Sequence, residues 1–330
     1  MRDYDESDAR IRPSRRGSRP RSKKRPAHED AHSGFVIGVD RGRYAVRTGD
    51  ATLVAMTARE LGGRGIVVGD RVAMVGDISG ADGTLARIVR REDRITALRR
   101  TADDDDPKER VIVANADRLA IVTSLAEPEP NPRMIDRCLV AAFDAGLDAL
   151  LVLTKDDLAD AEPIRKAYAP LGVDTLITSV ALGETQGLDP LREALAGRTT
   201  VLVGYSGVGK STLVNALVPE ALRSVGVVNA VTGHGRHTST SAVALELAGG
   251  GWIIDTPGIR SFGLAHVNAE QFVQAFPEVA EAAEDCPRGC GHASAEEGCS
   301  LDAWASTPDR IARLASIRRL LSTRAQAANL

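Results

Sequence analysis

The residues Gly204-Tyr205-Ser206-Gly207-Val208-Gly209-Lys210-Ser211 spell G-x-x-x-x-G-K-S directly after the β-type run TTVLV, and Thr212 opens the helical run TLVNAL. A strand before and a helix behind are the context in which this pattern makes a phosphate loop. Glycines let successive backbone N–H groups converge on phosphate, and the helix N-terminus adds its positive dipole end. Lys210 is assigned the β- and γ-phosphates, as a binding and a catalytic group, and the Ser211 hydroxyl a Mg2+ ion. The competing reading is a Gly-rich turn before a helix. By itself the loop does not choose between ATP and GTP.

Asp255-Thr256-Pro257-Gly258 follows the apolar run of Trp252, Ile253 and Ile254. At a strand end Asp255 can hold Mg2+ through water, and the Gly258 N–H can sense the γ-phosphate. The spacing from the phosphate loop leaves room for a switch segment, and Gly235-Arg236-His237-Thr238-Ser239-Thr240 lies within it. A hydroxyl from Thr238 or Thr240 is expected to close over Mg2+ and γ-phosphate and to let go after hydrolysis. Each also reads as ordinary loop polarity. His237 reads as a group that orients the attacking water, as a partner contact, or as a plain surface histidine.

Base choice comes from Thr154-Lys155-Asp156-Asp157, at the end of the run ALLVLT. In a [NT]-K-x-D element the final carboxylate accepts from guanine N1–H and the 2-amino group, while the lysine stem lies along the base. Adenine offers an acceptor at position 1 and no 2-amino donor, so Asp157 would face it with unsatisfied groups. GTP and GDP are therefore the expected nucleotides. Thr154 stands where asparagine is commoner. Downstream, Ser179-Val180-Ala181 offers a backbone N–H for guanine O6.

Order along the chain is informative. In an ordinary GTPase the phosphate loop comes first and the base-reading elements last, but here Asp157 and Ser179 precede Gly204, and Asp255 is last. Joining the usual termini and cutting elsewhere preserves strand contacts, so the sheet can be the same. The segment after Gly258 then leads straight into the C-terminal part. Ile259 occupies the place where many GTPases carry a water-orienting glutamine, and an apolar side chain cannot align water, so intrinsic hydrolysis is expected to be slow. A separate constellation, Cys286-x3-Cys290-Gly291-His292-x6-Cys299, supplies three thiolates and one imidazole, a closed tetrahedral set for structural zinc.

The elements that must position these groups are legible in outline. From Gly34 to about Leu98 the runs FVIGV, YAVRT, TLVAM, GIVVGDRVAMVG and GTLARIVRR, punctuated by glycines, read as five strands of a small OB-type barrel. Beyond the acidic run Asp103–Asp106, VIVA, LAIVTSL, ALLVLT and TLITSV alternate with helical stretches at about 132–146 and 161–171, which argues for a parallel sheet covered on both faces. The end of the chain reads as helical, with Ile311, Leu314, Ile317 and Leu321 on one side. The expected fold class is an α/β P-loop GTPase, circularly permuted with a mostly parallel sheet, carrying an N-terminal OB-type β-barrel and a C-terminal zinc-binding helical domain. Its expected divisions are a disordered basic arm at 1–33, the barrel at 34–100, the GTPase domain at 107–265 and the zinc-binding domain at 266–330.

Charge is uneven along the 330 residues. The net value is -3, yet residues 1–33 hold ten Lys/Arg against six Asp/Glu, leaving 32 basic and 39 acidic residues for the body. Such an arm cannot bury enough apolar surface to order itself, and it suits a phosphate backbone, with a solvated tail as the competing reading. No apolar run approaches the ~18 residues of a membrane helix. A cytoplasmic protein without membrane contact is expected, and the clustered cysteines fit a metal site in a reducing compartment better than disulfides. Cys138 reads as a small buried hydrophobe.

Taken together, the permuted order, the Gly-Arg-His-Thr segment and the Cys, Cys-x-His, Cys cluster resemble the RsgA (YjeQ) family of bacterial ribosome small-subunit-dependent GTPases, over roughly residues 34–325. The resemblance implies late maturation of the 30S subunit, with barrel and zinc domain gripping its 16S rRNA and GTP hydrolysis triggering release. A monomer is expected. Competing readings are a permuted GTPase acting on another RNA or ribosomal target, and an RNA-binding assembly scaffold in which nucleotide only stabilises the fold.

Overall fold

The computed structural model describes residues 28–61, 65–81, 83–101, 109–179, 187–220, 242–256, 263–264, 267–292 and 298–327. All contacts below lie within the compact unit Ala31–Leu330. Most of the basic arm, residues 1–27, is outside the described residues.

Five strands open the unit: β1 (His32–Asp40), β2 (Arg43–Thr48), β3 (Ala51–Thr57), β4 (Arg71–Gly76) and β5 (Ala86–Arg91). They pair in the order β1-β2-β3-β5-β4 and close back from β4 onto β1, with β3 and β5 parallel and the other pairs antiparallel. This is the closed five-stranded barrel expected from the glycine-punctuated runs. Its interior is filled by Val36, Val46, Leu53, Ala55, Val72, Met74 and Ile88, drawn from all five strands. Closure removes the free edges that a short open sheet would present.

Two strands follow, β6 (Ala97–Thr101) and β7 (Glu109–Ala114), paired antiparallel as a separate ribbon. VIVA thus differs from its expected place in the parallel sheet. Its partner is close in sequence, so little loop entropy opposes the pairing.

The α/β part comprises β8 (Arg118–Ser124), α1 (Pro132–Asp144), β9 (Asp148–Thr154), α2 (Glu162–Tyr168), β10 (Asp174–Thr178), α3 (Leu188–Leu195), β11 (Thr199–Val203), α4 (Lys210–Leu217), β12 (Val243–Glu246) and β13 (Trp252–Asp255). The strands lie in the order β10-β9-β8-β11-β13-β12, parallel except for β12. From β8 the chain steps outward to β10, returns to the centre at β11, and then fills the other side. The reversal between β8 and β11 is a topological switch point, where loops leaving the carboxyl ends of the strands open a crevice. Both β8 and the last five residues of β9 are buried, which is why their sequences run apolar instead of alternating. Helix α1 is capped by Asn131, whose side chain accepts from the Met134 N–H at 3.1 Å, and Pro132 starts it where no intrahelical N–H is needed.

Among the described residues four helices follow: α5 (Ala269–Val273), α6 (Pro277–Ala283), α7 (Ser300–Trp304) and α8 (Pro308–Ala327). Leu314, Ile317, Leu320 and Leu321 of α8 are buried, while Ile311 is 55% exposed and stands off the apolar side expected for it. Arg319 of α8 pairs with buried Asp136 of α1 at 3.2 Å and lies over the Tyr168 ring at 5.1 Å. Phe143, Phe272 and Phe276 meet edge to face and join α1 to the C-terminal helices. Cys138 is buried as expected, and burial pushes its thiol up to about 12.

The barrel is bonded to the end of the β6–β7 ribbon and to the turn that leads into β8. The Ala114 N–H donates to Val68 O at 3.0 Å and the Asn115 side chain to Gly69 O at 2.9 Å. Beside them Asp70, 0% exposed, accepts two bonds of 2.7 Å from the Arg94 guanidinium and one of 2.8 Å from the Val67 N–H. Removing one partner of a buried pair strands the other charge. Arg94→Met is therefore expected to lower stability by about 3 kcal/mol, read as a shifted midpoint in urea unfolding; a midpoint within error of the parent would discount the pair.

Candidate functional site

Each nucleotide motif emerges at the carboxyl end of a parallel strand. Thr154 closes β9, Ser179 follows β10, Gly204 follows β11 and Asp255 closes β13. The side chains therefore converge on one rim of the sheet, around the switch point.

At the centre is the phosphate loop. A Cβ on Gly204 would sit 2.4 Å from Val122 O, so only glycine allows the loop to leave β11 this close to β8. Gly209, at φ +88, turns the chain into α4, and its carbonyl accepts the Leu213 N–H at 2.9 Å. Lys210 and Asp255 form an ion pair across the rim, with 12% and 27% of their side chains exposed. Asp255 is held in register by pairing with Leu202 of β11, and the following Thr256 hydroxyl donates to Leu202 O at 2.7 Å. Lys210 and Asp255 are thus brought to one place, with Ser211 next to Lys210 in the chain.

The Thr154–Asp157 segment, the expected base reader, lies against this loop. The buried Thr154 hydroxyl donates to Val208 O at 2.6 Å, so β9 and the phosphate loop share a hydrogen bond. Lys155, at φ +61, donates from its amine to Glu127 O. Asp157 accepts from the Ser179 hydroxyl at 2.8 Å. The Ser179 side chain, a contact the backbone reading of Ser179-Val180-Ala181 does not include, fixes the carboxylate of Asp157.

Sequence reasoning missed the loop of residues 125–131. Besides Glu127, it contributes Pro128, whose carbonyl accepts from Ser124 at 2.6 Å and whose ring lies 3.5 Å from where a Gly207 Cβ would be. Its signal was available: the proline-rich AEPEPNP follows the strand that borders the switch point. Val180, His237, Thr238, Thr240, Gly258 and Ile259 lie outside the described residues.

Cys286, Cys290, His292 and Cys299 form a second centre, their ligand atoms all within 4.8 Å of one another. His292 at φ +54 turns its ring toward Cys286, with Nδ1 3.5 Å from Sγ. Arg318 of α8 braces the cluster, donating to His292 O at 3.3 Å and to Asp302 at 2.8 Å, with its other amine 3.7 Å from Cys299 Sγ. Burial pushes the Cys290 thiol up to about 11, reinforced by Cys299 and Cys286. Burial also acts to raise Cys286, but hydrogen bonds with Ser300 and the neighbouring thiols outweigh it and hold that thiol below its ordinary range. Three crowded sulfurs resist ionising together unless a cation compensates them, and the Cys3His donor set and its spread fit tetrahedral zinc.

Strand order, phosphate loop and base-reading segment define a P-loop GTPase whose sheet is assembled in permuted chain order. Residues 91–265 match the family model described as RsgA GTPase. A Chlorobaculum tepidum protein named small ribosomal subunit biogenesis GTPase RsgA is 38% identical over 284 residues, covering 82% of this chain and 90% of the relative. A Streptomyces coelicolor protein of the same name is 38% identical over 308 residues, covering 89% and 81%. Among solved structures, YjeQ from Thermotoga maritima superposes with a TM-score of 0.61 at 25% identity, over 88% of this chain and 99% of that one. YloQ, described as a circularly permuted GTPase, superposes at 0.63 with 22% identity, over 91% and 98%. The chain belongs to the RsgA GTPase family and is a guanine-nucleotide-binding GTPase.

Thr154→Val keeps the side-chain volume but leaves the Val208 carbonyl without its donor. The expected cost is about 1–3 kcal/mol, and GDP affinity should fall on the order of tenfold as the two segments loosen. Titration with a fluorescent GDP analogue reads this; unchanged affinity would mean the hydroxyl is idle.

Proposed function

We propose that this chain hydrolyses GTP in late maturation of the 30S ribosomal subunit, binding 16S rRNA and leaving after hydrolysis. The observation that carries the nucleotide part is the bond from Thr154 to Val208, which sets the guanine-selecting segment beside the phosphate loop. Family membership, with relatives named for small ribosomal subunit biogenesis, supports the ribosomal part.

In this reading Thr154, Lys155, Asp157, Ser179 and Val180 receive the base, and Gly204 to Thr212 receive the phosphates. Lys210 exchanges its bond to Asp255 for the β- and γ-phosphate oxygens, where its charge offsets the negative charge that builds on the leaving β-oxygen as water attacks the γ-phosphorus. Ser211 and Asp255, with Thr238 or Thr240, would hold Mg2+, which supplies further charge neutralisation. His237 and Thr238 are the candidates for positioning the water, since Ile259 cannot, and Gly258 is the candidate for sensing the γ-phosphate. Cys286, Cys290, His292 and Cys299 would hold one structural Zn2+, in place of the apolar core that so short a segment lacks.

The proposed division of labour is a basic arm at 1–33, an rRNA-facing barrel at 34–100, the catalytic domain at 107–265 and the zinc-bound domain at 266–330, working as a cytoplasmic monomer. No helix among the described residues is long and apolar enough to cross a membrane.

Turnover measured with and without purified 30S subunits, with ATP as control, tests the whole reading. GTP hydrolysis should be slow alone and rise at least about tenfold with subunits, while ATP should not be used. Fast turnover without subunits, or equal use of ATP, would contradict it.

Asp157→Asn tests base selection. Asparagine retains an oxygen for Ser179 but offers an amide donor where guanine presents its 2-amino group. Xanthine carries a carbonyl there instead. The ratio of kcat/KM for XTP over GTP should therefore rise by roughly a hundredfold or more; a variant that still prefers GTP would remove Asp157 from the base site.

A further inference from the structure

The barrel and the α/β sheet are one continuous structure: β12, the outermost strand of the α/β part, pairs antiparallel with β1 of the barrel at Gly38–Val243. Val243 is at the same time the register partner of Asp255 on β13, and Asp255 is paired in turn with Leu202 of β11. Gly38, Val243, Asp255 and Leu202 thus form one row of backbone pairs, running from the barrel wall to the strand that feeds the phosphate loop. The barrel end of this row is fixed. β1 has a register shift between Val36 and Gly38, and Val36 exchanges bonds with the loop that holds buried Asp70, its N–H donating to Asp70 O at 3.0 Å and its carbonyl accepting the Gly69 N–H at 2.9 Å.

Two side-chain contacts clamp the junction at the Glu246 end of β12, where Phe35 is the register partner of Arg47 and Glu246 that of Trp252. Phe35 of β1 packs on Trp252 of β13 with ring centroids 5.0 Å apart. Arg47 of β2 pairs with Glu246 of β12 at 3.2 Å. In sequence, Val243 also follows the candidate switch hydroxyl Thr240 by three residues. The barrel therefore buttresses the only described antiparallel strand lying beside the Asp255 strand.

We propose that the β1–β12 junction positions the hydrolytic centre: Phe35 and Arg47 hold β12 in register with Asp255, so the seating of the barrel sets the rate of GTP hydrolysis without setting nucleotide affinity. This rests on the role proposed above for Asp255. The split is expected because the base and phosphate groups follow β9, β10 and β11, whereas Phe35 and Arg47 bear on β13 and β12, the strand that Asp255 closes and its antiparallel neighbour.

The test is GTP turnover by the full-length chain carrying Arg47→Glu, which sets like charges against each other at Glu246, and by the same chain with Glu246→Arg added. The first should lower kcat roughly fivefold, with KM for GTP and the Kd for GDP within about twofold of the parent, and should speed hydrogen exchange at the Val243 amide. The added Glu246→Arg should restore both kcat and protection. Phe35→Ala should act in the same direction; if it fails to fold, the charge pair decides alone.

An unchanged kcat in Arg47→Glu, or a loss that Glu246→Arg does not restore, overturns the proposal. Asp255→Ala in the same assay separates the two levels. If it abolishes turnover while the junction variants do nothing, the junction proposal alone falls. If it leaves turnover intact, the role of Asp255 falls and takes the junction with it.

Discussion

One hydrogen bond, from the Thr154 hydroxyl to the Val208 carbonyl, holds together the two halves of the proposed nucleotide site. They come from segments 54 residues apart and from different sides of the switch point. A nucleotide spans base and phosphate with fixed covalent lengths, so the strand end that selects the base and the loop that holds the phosphates must keep a fixed separation. Parallel pairing of β9, β8 and β11 sets it coarsely, and the buried threonine sets it finely. A side chain of this size serves because the loop passes so close: a Cβ on Gly209 would lie 3.6 Å from Thr154 Oγ1. The threonine thus supplies a polar contact to the loop at the position where asparagine is commoner.

The same economy governs charge. Lys210 and Asp255 neutralise one another on the rim, so neither is left uncompensated where both are largely withdrawn from water. In the proposed mechanism this pair is the resting arrangement from which substrate phosphate withdraws the lysine and frees the carboxylate. In the cysteine cluster, the described counter-charge is Arg318, whose guanidinium already serves Asp302. A cation held by these four ligands would let its thiols ionise together.

Much of this was legible in the sequence because the relevant signals are local. G-x-x-x-x-G-K-S, the apolar strands and the cysteine spacings each depend on residues near one another in the chain. What escaped depends on pairing at a distance. VIVA is apolar enough for a central strand, and only its partner β6 decides that it forms a separate ribbon. Ile311 keeps helical spacing with Leu314 yet lies exposed near the start of α8, since periodicity identifies a face without saying how far the neighbouring surface extends. Glu127 enters through its backbone carbonyl, which any residue supplies, so no side-chain type could have marked it.

The outer edge of the α/β sheet poses a problem that the barrel solves. The α/β sheet ends in β12, a strand of four residues, three of them buried, and such a strand has one side paired to β13 and the other facing outward. An apolar edge of this kind invites pairing with another chain unless something covers it. Here β1 pairs with it at Val243, and because the barrel is closed, extending the sheet by β1 does not expose a new free edge. The cover must follow any displacement of the edge it protects. Edge protection and the proposed control of Asp255 are therefore two consequences of the same backbone pairing: a barrel tight enough to shield β12 is also tight enough to hold it in register.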